Sequence, residues 1–185
     1  MKNPTFCIGL MSGTSLDGLD ICYVRFDDIQ HFEILQAETI DYSADWRTKL
    51  TEAYQYSAMD LCQLDVEFGY FLGEQVKEFI YKNNIQQIDF VASHGQTIFH
   101  QPQKSFTLQI GNGAAIASRC QQKVVCDFRT QDVILGGQGA PLVPIGDELL
   151  FSQYDACLNL GGFSNISMNR NGKRIAFDIC PINIV

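Results

Sequence analysis

The chain has 185 residues, of which 46% are hydrophobic and 18% charged, with a net charge of −8 and a pI of about 4.7. That length and apolar content suffice to bury the core of one domain, and with no low-complexity tract they exclude a disordered chain. The acidic balance argues against a general nucleic-acid or anionic-membrane surface, and no apolar run approaches the ~18–20 residues of a membrane span. Cys7, Cys22, Cys62, Cys120, Cys126, Cys157 and Cys180 contain no CxxC pair. They read as reduced, mostly buried small hydrophobes of a cytoplasmic protein, with no disulfide or zinc framework. The N-terminal Met-Lys followed by a β-like run is not a signal peptide.

In chain order, Thr5–Ile8 and Leu19–Phe26 are β-prone runs on either side of a Gly/Ser/Thr-rich turn, and predict a hairpin with a chemically loaded tip. Gly9, Gly13 and Gly18 open the backbone to close approach, while Ser12, Thr14 and Ser15 add hydroxyls. Asp17 and Asp20 add carboxylates suited to a hydrated Mg²⁺. A phosphate needs that mixture, but an ordinary turn uses the same residue types. Neither a Walker pattern nor GxGxxG occurs. Ile21–Phe26 and Phe32–Ile40 predict strands joined by the polar turn Asp27–Gln30. Ser43 or Asp45 can cap a helix through Trp46, Leu50 and Tyr54. Leu61, Leu64, Phe68, Phe71, Leu72, Val76, Phe79 and Ile80 recur at helical spacing and predict a long helix over Ala58–Asn83 with an apolar face for the core.

Ile88–Ala92 predicts a buried strand with Ser93–Thr97 at its C-terminal end, where ligands of open α/β sheets gather. His94, Gln96 and Thr97 offer an imidazole, an amide and a hydroxyl that suit a polyhydroxylated sugar; a His after a strand is also a common structural residue. His100 reads as a turn residue and His31 as solvent-facing. Phe106–Ile110 predicts a strand, Ala114–Arg119 a helix, and Lys123–Cys126 a strand leading into the Asp127–Arg129 loop. Arg129 can fork a carboxylate or pair with Asp127 or Asp132. Gly136–Pro144 reads as an ordered loop with Gln138 as its polar contact, before a short helix from Asp147 through Phe151. Ala156–Leu160 and Phe163–Met168 read as strands about Gly161-Gly162. Arg174–Phe177 leads to Asp178, which by pattern alone is a turn or cap residue.

Met11–Asp20, Ser93–Thr97, Leu108–Asn112, Asp127–Arg129, Gly136–Pro144 and Leu158–Ile166, in this order, resemble the signatures of the anhydro-N-acetylmuramic acid kinases of the sugar kinase/Hsp70/actin superfamily. The resemblance covers essentially the whole chain. It implies an α/β fold, an actin-like ATPase (ribonuclease-H-like) domain with a mixed sheet flanked by helices. It implies phosphorylation by ATP of O6 of 1,6-anhydro-N-acetylmuramic acid while water opens the anhydro bond, giving N-acetylmuramic acid 6-phosphate in cell-wall recycling.

The resemblance places Gly13, Thr14, Ser15, Leu16, Asp17, Gly18, Leu19 and Asp20 at the ATP phosphates, with Asp17 and Asp20 reaching Mg²⁺ through water. Gly161, Gly162 and Asn165, with Asn159, complete the nucleotide side. His94, Gln96, Thr97, Arg129 and Gln138 fall to the sugar, Arg129 taking its lactyl carboxylate. Asp178 falls to the catalytic base. The family stretch is Asp-x-Gly-Pro-Gly-Asn, and here Cys180 and Ile182 stand in place of the glycines. Expected partners are the amino sugar and ATP, with neither nucleic acid nor membrane, and a homodimer is admitted.

Residues 1–185 are expected to form the N-terminal lobe of a two-lobed kinase, the second lobe beginning near residues 155–185, and the piece alone is expected to be silent. The alternative is a non-catalytic nucleotide-binding module of the actin or chaperone type. A hydrolase using His94 ranks behind both, since no G-x-S-x-G occurs.

Overall fold

A computed structural model describes residues 3–13 and 15–182. Thr14, expected at the phosphates, and Asn183, of the Asp178 stretch, lie outside the described residues. Strand β1 (Thr5–Ser12) pairs antiparallel with β2 (Gly18–Phe26), Met11 opposite Asp20 and Ser12 opposite Leu19. The ladder thus runs past Ile8, so Gly9–Ser12 belong to the strand and the turn shrinks to residues 13–17. Strand β3 (Phe32–Asp41) continues the meander. His31, at its start, is exposed and paired with Asp28, as expected.

Helix α1 (Ala44–Glu52) is capped by Ser43, whose Oγ accepts from the Trp46 amide, and a 3₁₀ turn (Ala53–Gln55) follows it. Helix α2 (Ala58–Lys82) starts at the Ser57 cap and lays the predicted stripe on the sheet. Phe68, Leu72 and Val76 are fully buried against Ile8, Leu19, Ile21 and Val91. Trp46, Tyr42 and Phe71 ring Phe68 with centroids 5.4–6.2 Å away. Burying several large side chains is the main stabilisation of this layer, at about 1.5–3 kcal/mol each.

Strand β4 (Phe90–Ser93) runs parallel to β1. Strands β5 (Gln96–Gln101) and β6 (Phe106–Ile110) form a separate hairpin. This corrects two expectations: Gln96 and Thr97 begin a strand rather than a loop, and His100 sits inside β5 with Nδ1 3.2 Å from Thr107 Oγ1. The chain reverses later, through the 3₁₀ turn Pro102–Lys104. Helix α3 (Gly113–Cys120), capped by Asn112, lies on α2, and β7 (Val124–Cys126) joins β4 in parallel. The resulting five-stranded mixed sheet has the order β3-β2-β1-β4-β7, the α/β arrangement expected.

Helix α4 (Thr130–Ile134) was not expected, and α5 (Pro144–Leu150) starts earlier than predicted, with Pro144 in its first turn where a missing N–H costs nothing. Strands β8 (Ala156–Leu160), β9 (Phe163–Arg170) and β10 (Lys173–Pro181) form an antiparallel sheet of their own. Asp178 therefore lies within β10 rather than beyond a strand end. The cysteines are free but not mostly buried: Cys7 and Cys120 are buried, Cys22 and Cys157 half-buried, and Cys62, Cys126 and Cys180 exposed. Cys62 lies on the outer side of α2, Cys126 on the edge strand β7 and Cys180 on the second sheet, where nothing among the described residues covers them. Among the described residues no helix is long and apolar enough to cross a membrane.

Candidate functional site

At the hairpin tip the Leu16 amide donates to the Gly13 carbonyl at 3.1 Å, with Leu16 itself left-handed at φ 55°. Ser15 and Gly13 are half-buried and Asp17 is exposed. Gly18, Leu19 and Asp20 belong to β2, and the Leu19 side chain is wholly in the core. Only its backbone is available to a ligand. Asp20 faces outward, and its Oδ1 accepts from Thr39 Oγ1 at 2.6 Å. Strand alternation puts Ser12 on the core side with Ile8 and Leu10, so its hydroxyl points inward, not at the tip. There Tyr42 Oη donates to Ser12 Oγ at 2.7 Å, and Ser12 Oγ donates to Gln96 Oε1. Burial pushes the Tyr42 hydroxyl up to about 12, which keeps it a donor. This relay holds Gln96 through Ser12 of β1, itself held by Tyr42 just after β3. A polar residue at a core-facing position of β1 was the available sequence signal for it.

Gly95 has φ +72°, and a Cβ there would stand 2.5 Å from the Ile110 carbonyl, so only glycine lets the chain turn between β4 and β5. The turn aims His94 at Arg129. His94 Nδ1–H donates to the Gly95 carbonyl at 2.8 Å, and Nε2 accepts from Arg129 Nε–H at 2.8 Å. Burial first, and the Arg129 charge second, hold the imidazole below its ordinary pKa, opposed by the bond to Gly95. His94 is thus a neutral, buried acceptor.

Arg129 Nη1 donates to the Gly139 carbonyl at 2.6 Å, while the Gly139 amide donates to Asp132 Oδ2 at 2.7 Å. At φ +64°, Gly139 is another position where a Cβ would clash, 2.6 Å from Val133. These bonds order the loop of residues 136–143 from one end. No ion pair of Arg129 with Asp127 or Asp132 occurs among the described residues. Gln138 is exposed on this loop, and Thr97 Oγ1 accepts from Gln109 Nε2 at 3.3 Å.

The register of the second sheet sets Asn159 opposite Asn165 and Asn165 opposite Asp178, one row across three strands. Directly opposed residues share a face at Cβ separations of about 4.5–5.5 Å, so the exposed Asp178 carboxylate has an amide beside it. A bulge between Asp178 and Cys180 interrupts the ladder, which resumes with Cys180 opposite Ser164 and Pro181 opposite Phe163, and Ser164 Oγ donates to the Cys180 carbonyl at 3.1 Å. Gly161 and Gly162 make the β8–β9 turn, and the Gly162 carbonyl accepts from the Ile182 amide at 2.8 Å.

On the same face, Arg174 Nη2 donates to Ser167 Oγ at 2.9 Å and Ser167 donates to the buried carboxylate of Asp147 on α5. Neither Ser167 nor Arg174 had been singled out from the sequence.

A cavity of 620 Å³ lies over the sheet face opposite α2, with Met11, Asp20, Thr39, His94, Arg129 and Val143 among its lining. It brings together Asp20, His94 and Arg129; Asp178 does not line it. No cluster of three metal-ligating side chains occurs among the described residues.

The anhydro-N-acetylmuramic acid kinase family model matches residues 5–185. The chain is 38% identical to the anhydro-N-acetylmuramic acid kinase of Clostridioides difficile strain 630, over 97% of this chain and 52% of that one. It is 37% identical to that of Francisella tularensis subsp. novicida strain U112, over 100% and 54%. With that of Bacillus thuringiensis subsp. konkukian strain 97-27 it shares 35%, over 97% and 52%. The chain spans about half the length of the curated relatives it matches. A match that runs from the first strand to the last, through the hairpin tip, the His94 turn and the Asp178 row alike, makes this chain a member of the anhydro-N-acetylmuramic acid kinase family, with its actin-like ATPase fold.

Proposed function

We propose that residues 1–185 form the N-terminal lobe of a kinase that phosphorylates 1,6-anhydro-N-acetylmuramic acid with ATP and opens the anhydro ring in the same reaction. The second lobe starts near residues 155–185, at the three-stranded sheet, and is completed by residues outside this chain. The carrying observation is the row Asn159–Asn165–Asp178, an exposed carboxylate beside amides at a bulge in the β9–β10 ladder.

In this reading Asp178 takes a proton from the water that attacks the anomeric carbon. The C1–O6 bond breaks with its electrons going to O6, and O6 attacks the γ-phosphoryl group as ADP leaves, giving N-acetylmuramic acid 6-phosphate. Backbone amides of residues 13–20 and the Gly161-Gly162 turn hold the phosphates, with Asn165 beside them. Mg²⁺ reached through water by Asp17 and Asp20 would neutralise phosphate charge. His94, Gln96, Thr97 and Gln138 orient the sugar. Arg129, with Nε and Nη1 committed to His94 and Gly139, offers Nη2 to the lactyl carboxylate. A cytoplasmic, homodimeric protein acting in cell-wall recycling completes the proposal.

The test is phosphate transfer from ATP to the anhydrosugar by the intact two-lobed protein, its Asp178→Asn variant, and the 185-residue chain alone. Turnover by the first, a drop of roughly 10²–10⁴-fold in the second with fold retained, and none by the third are expected. No turnover by the intact protein would favour a binding-only, actin-like module. Unchanged turnover in the variant would move the base elsewhere.

A further inference from the structure

A second cavity, of 300 Å³, lies on the other side of His94, between the end of β4, the β6 strand and the start of α3. Its size is at the small end of the ~300–1,000 Å³ of ligand pockets. Two of its lining residues carry polar atoms that are fully buried and have no hydrogen-bond partner: Ser93 Oγ and Gln109 Oε1. Ser93 is 1% exposed, so bulk water does not solvate its hydroxyl. The Gln109 amide is already oriented, its Nε2 donating to Thr107 Oγ1 at 2.8 Å and to Thr97 Oγ1 at 3.3 Å, which leaves Oε1 as the open acceptor. Buried polar groups without partners are rare enough to require an explanation, and two on one cavity wall point to a ligand.

The wall also fixes the ligand's chemistry. Asp65 and Asp127 both line the cavity. Asp65 is held in place, its Oδ1 accepting from the Gly111 amide at 2.8 Å and Oδ2 from Asn112 Nδ2 at 3.1 Å. The α3 amides of Ala114 and Ala115 are taken by Asn112 Oδ1, at 3.1 Å each. Two carboxylates repel an anion, and the capped helix start offers it neither the Ala114 nor the Ala115 amide. What remains is an acceptor in Gln109 Oε1 and a hydroxyl in Ser93 that can both donate and accept, the complement of sugar hydroxyls or an amide N–H.

We propose that this cavity takes the neutral, hydroxyl- and amide-bearing side of the sugar, with Ser93 and Gln109 as contacts, while its carboxylate lies across His94 on the Arg129 side. The proposal rests on the kinase reading above and adds the orientation of the substrate.

The experiment measures binding of 1,6-anhydro-N-acetylmuramic acid and of its carboxyl methyl ester to the intact protein without ATP, by calorimetry. Wild type, Ser93→Ala, Gln109→Met and Arg129→Met are compared. Ser93→Ala and Gln109→Met should each weaken both ligands about tenfold, the loss of roughly one hydrogen bond. Arg129→Met should weaken the acid much more than the ester. The KM for ATP and the Tm of Ser93→Ala should hold, since that change only removes an unpaired hydroxyl. Unaltered affinity in Ser93→Ala and Gln109→Met alongside normal wild-type binding would overturn the orientation and leave the kinase reading standing. A wild type that neither binds nor turns over the anhydrosugar would overturn both.

Discussion

In the five-stranded sheet Ile8, Leu19 and Val91 are wholly covered by α2, whereas in the three-stranded sheet Leu158 and Phe177 stand 57% and 50% exposed. The two sheets use the same strand alternation with opposite results. In β8–β10 the row Asn159–Asn165–Asp178 shares its face with Ser167 and Arg174, which clasp α5. The alternate row, Leu158–Ile166–Phe177, faces outward without cover. An antiparallel sheet that satisfies its polar side and leaves the apolar side wet inverts the usual order. The first sheet is covered on one face by α2, while the second leaves its apolar row in water.

Three changes would break or sharpen that contrast. The largest effect belongs to Phe68→Ala, which removes the side chain at the centre of the Tyr42, Trp46 and Phe71 rings. It should cost about 3–5 kcal/mol in urea unfolding of the 185-residue chain. A loss under about 1 kcal/mol would mean that the first sheet is not the stable unit.

A middle-sized effect is expected from acid. His94 is held below its ordinary value of 6.5, so the unfolded chain binds its proton first. The stability that neutral His94 contributes is complete above pH 6.5 and is lost as pH falls from there toward the lowered folded value. Protonation would also set an imidazolium against the Arg129 guanidinium. His94→Gln should lower stability by about 1 kcal/mol at neutral pH and flatten this slope, as read from melts between pH 5 and 7.5. An unchanged slope would place the acid sensitivity elsewhere. The smallest effect is Phe177→Ser, whose ring is half in water: stability should shift by no more than about 0.5 kcal/mol, while dye binding to exposed apolar surface falls. A loss matching Phe68→Ala would show the second sheet to be covered in solution.

What the sequence revealed and what it hid follow from the range of the interactions. The α2 stripe, the β1–β3 meander and the Ala156–Met168 strands were legible because alternation and helical spacing are local. Strand β5 was not, although Thr97, Ile98 and Phe99 are β-prone, because the run is short and its ladder is made with β6 across the Pro102–Lys104 turn. Helix α4 is a short segment held by its loop, with Asp132 gripping Gly139. The fold brings residues singled out for the site next to one another in two places: His94 with Arg129, and Asn165 with Asp178. The first pair is 35 positions apart in sequence, and no period announces it. Tyr42 and Arg174 carry no motif, and Ser93 and Gln109 sit inside signature segments that give them no role of their own; all four emerge only from which face their strand or loop turns inward. The cysteines misled for the related reason that residue type does not say which side of a strand or helix is covered.

The loop between the two sheets is fastened at both ends, at Gly139 by Arg129 and Asp132, and at Asp147 by Ser167 and Arg174. It therefore acts as a leash. Even fully drawn out, Gly139 to Asp147 reaches roughly 29 Å at ~3.6 Å per residue, and the helical turn at its far end shortens that further. While both knots hold, the sheet bearing Asp178 can swing about the sheet bearing His94 only within that radius. Any wider excursion must first untie a charged knot at one end.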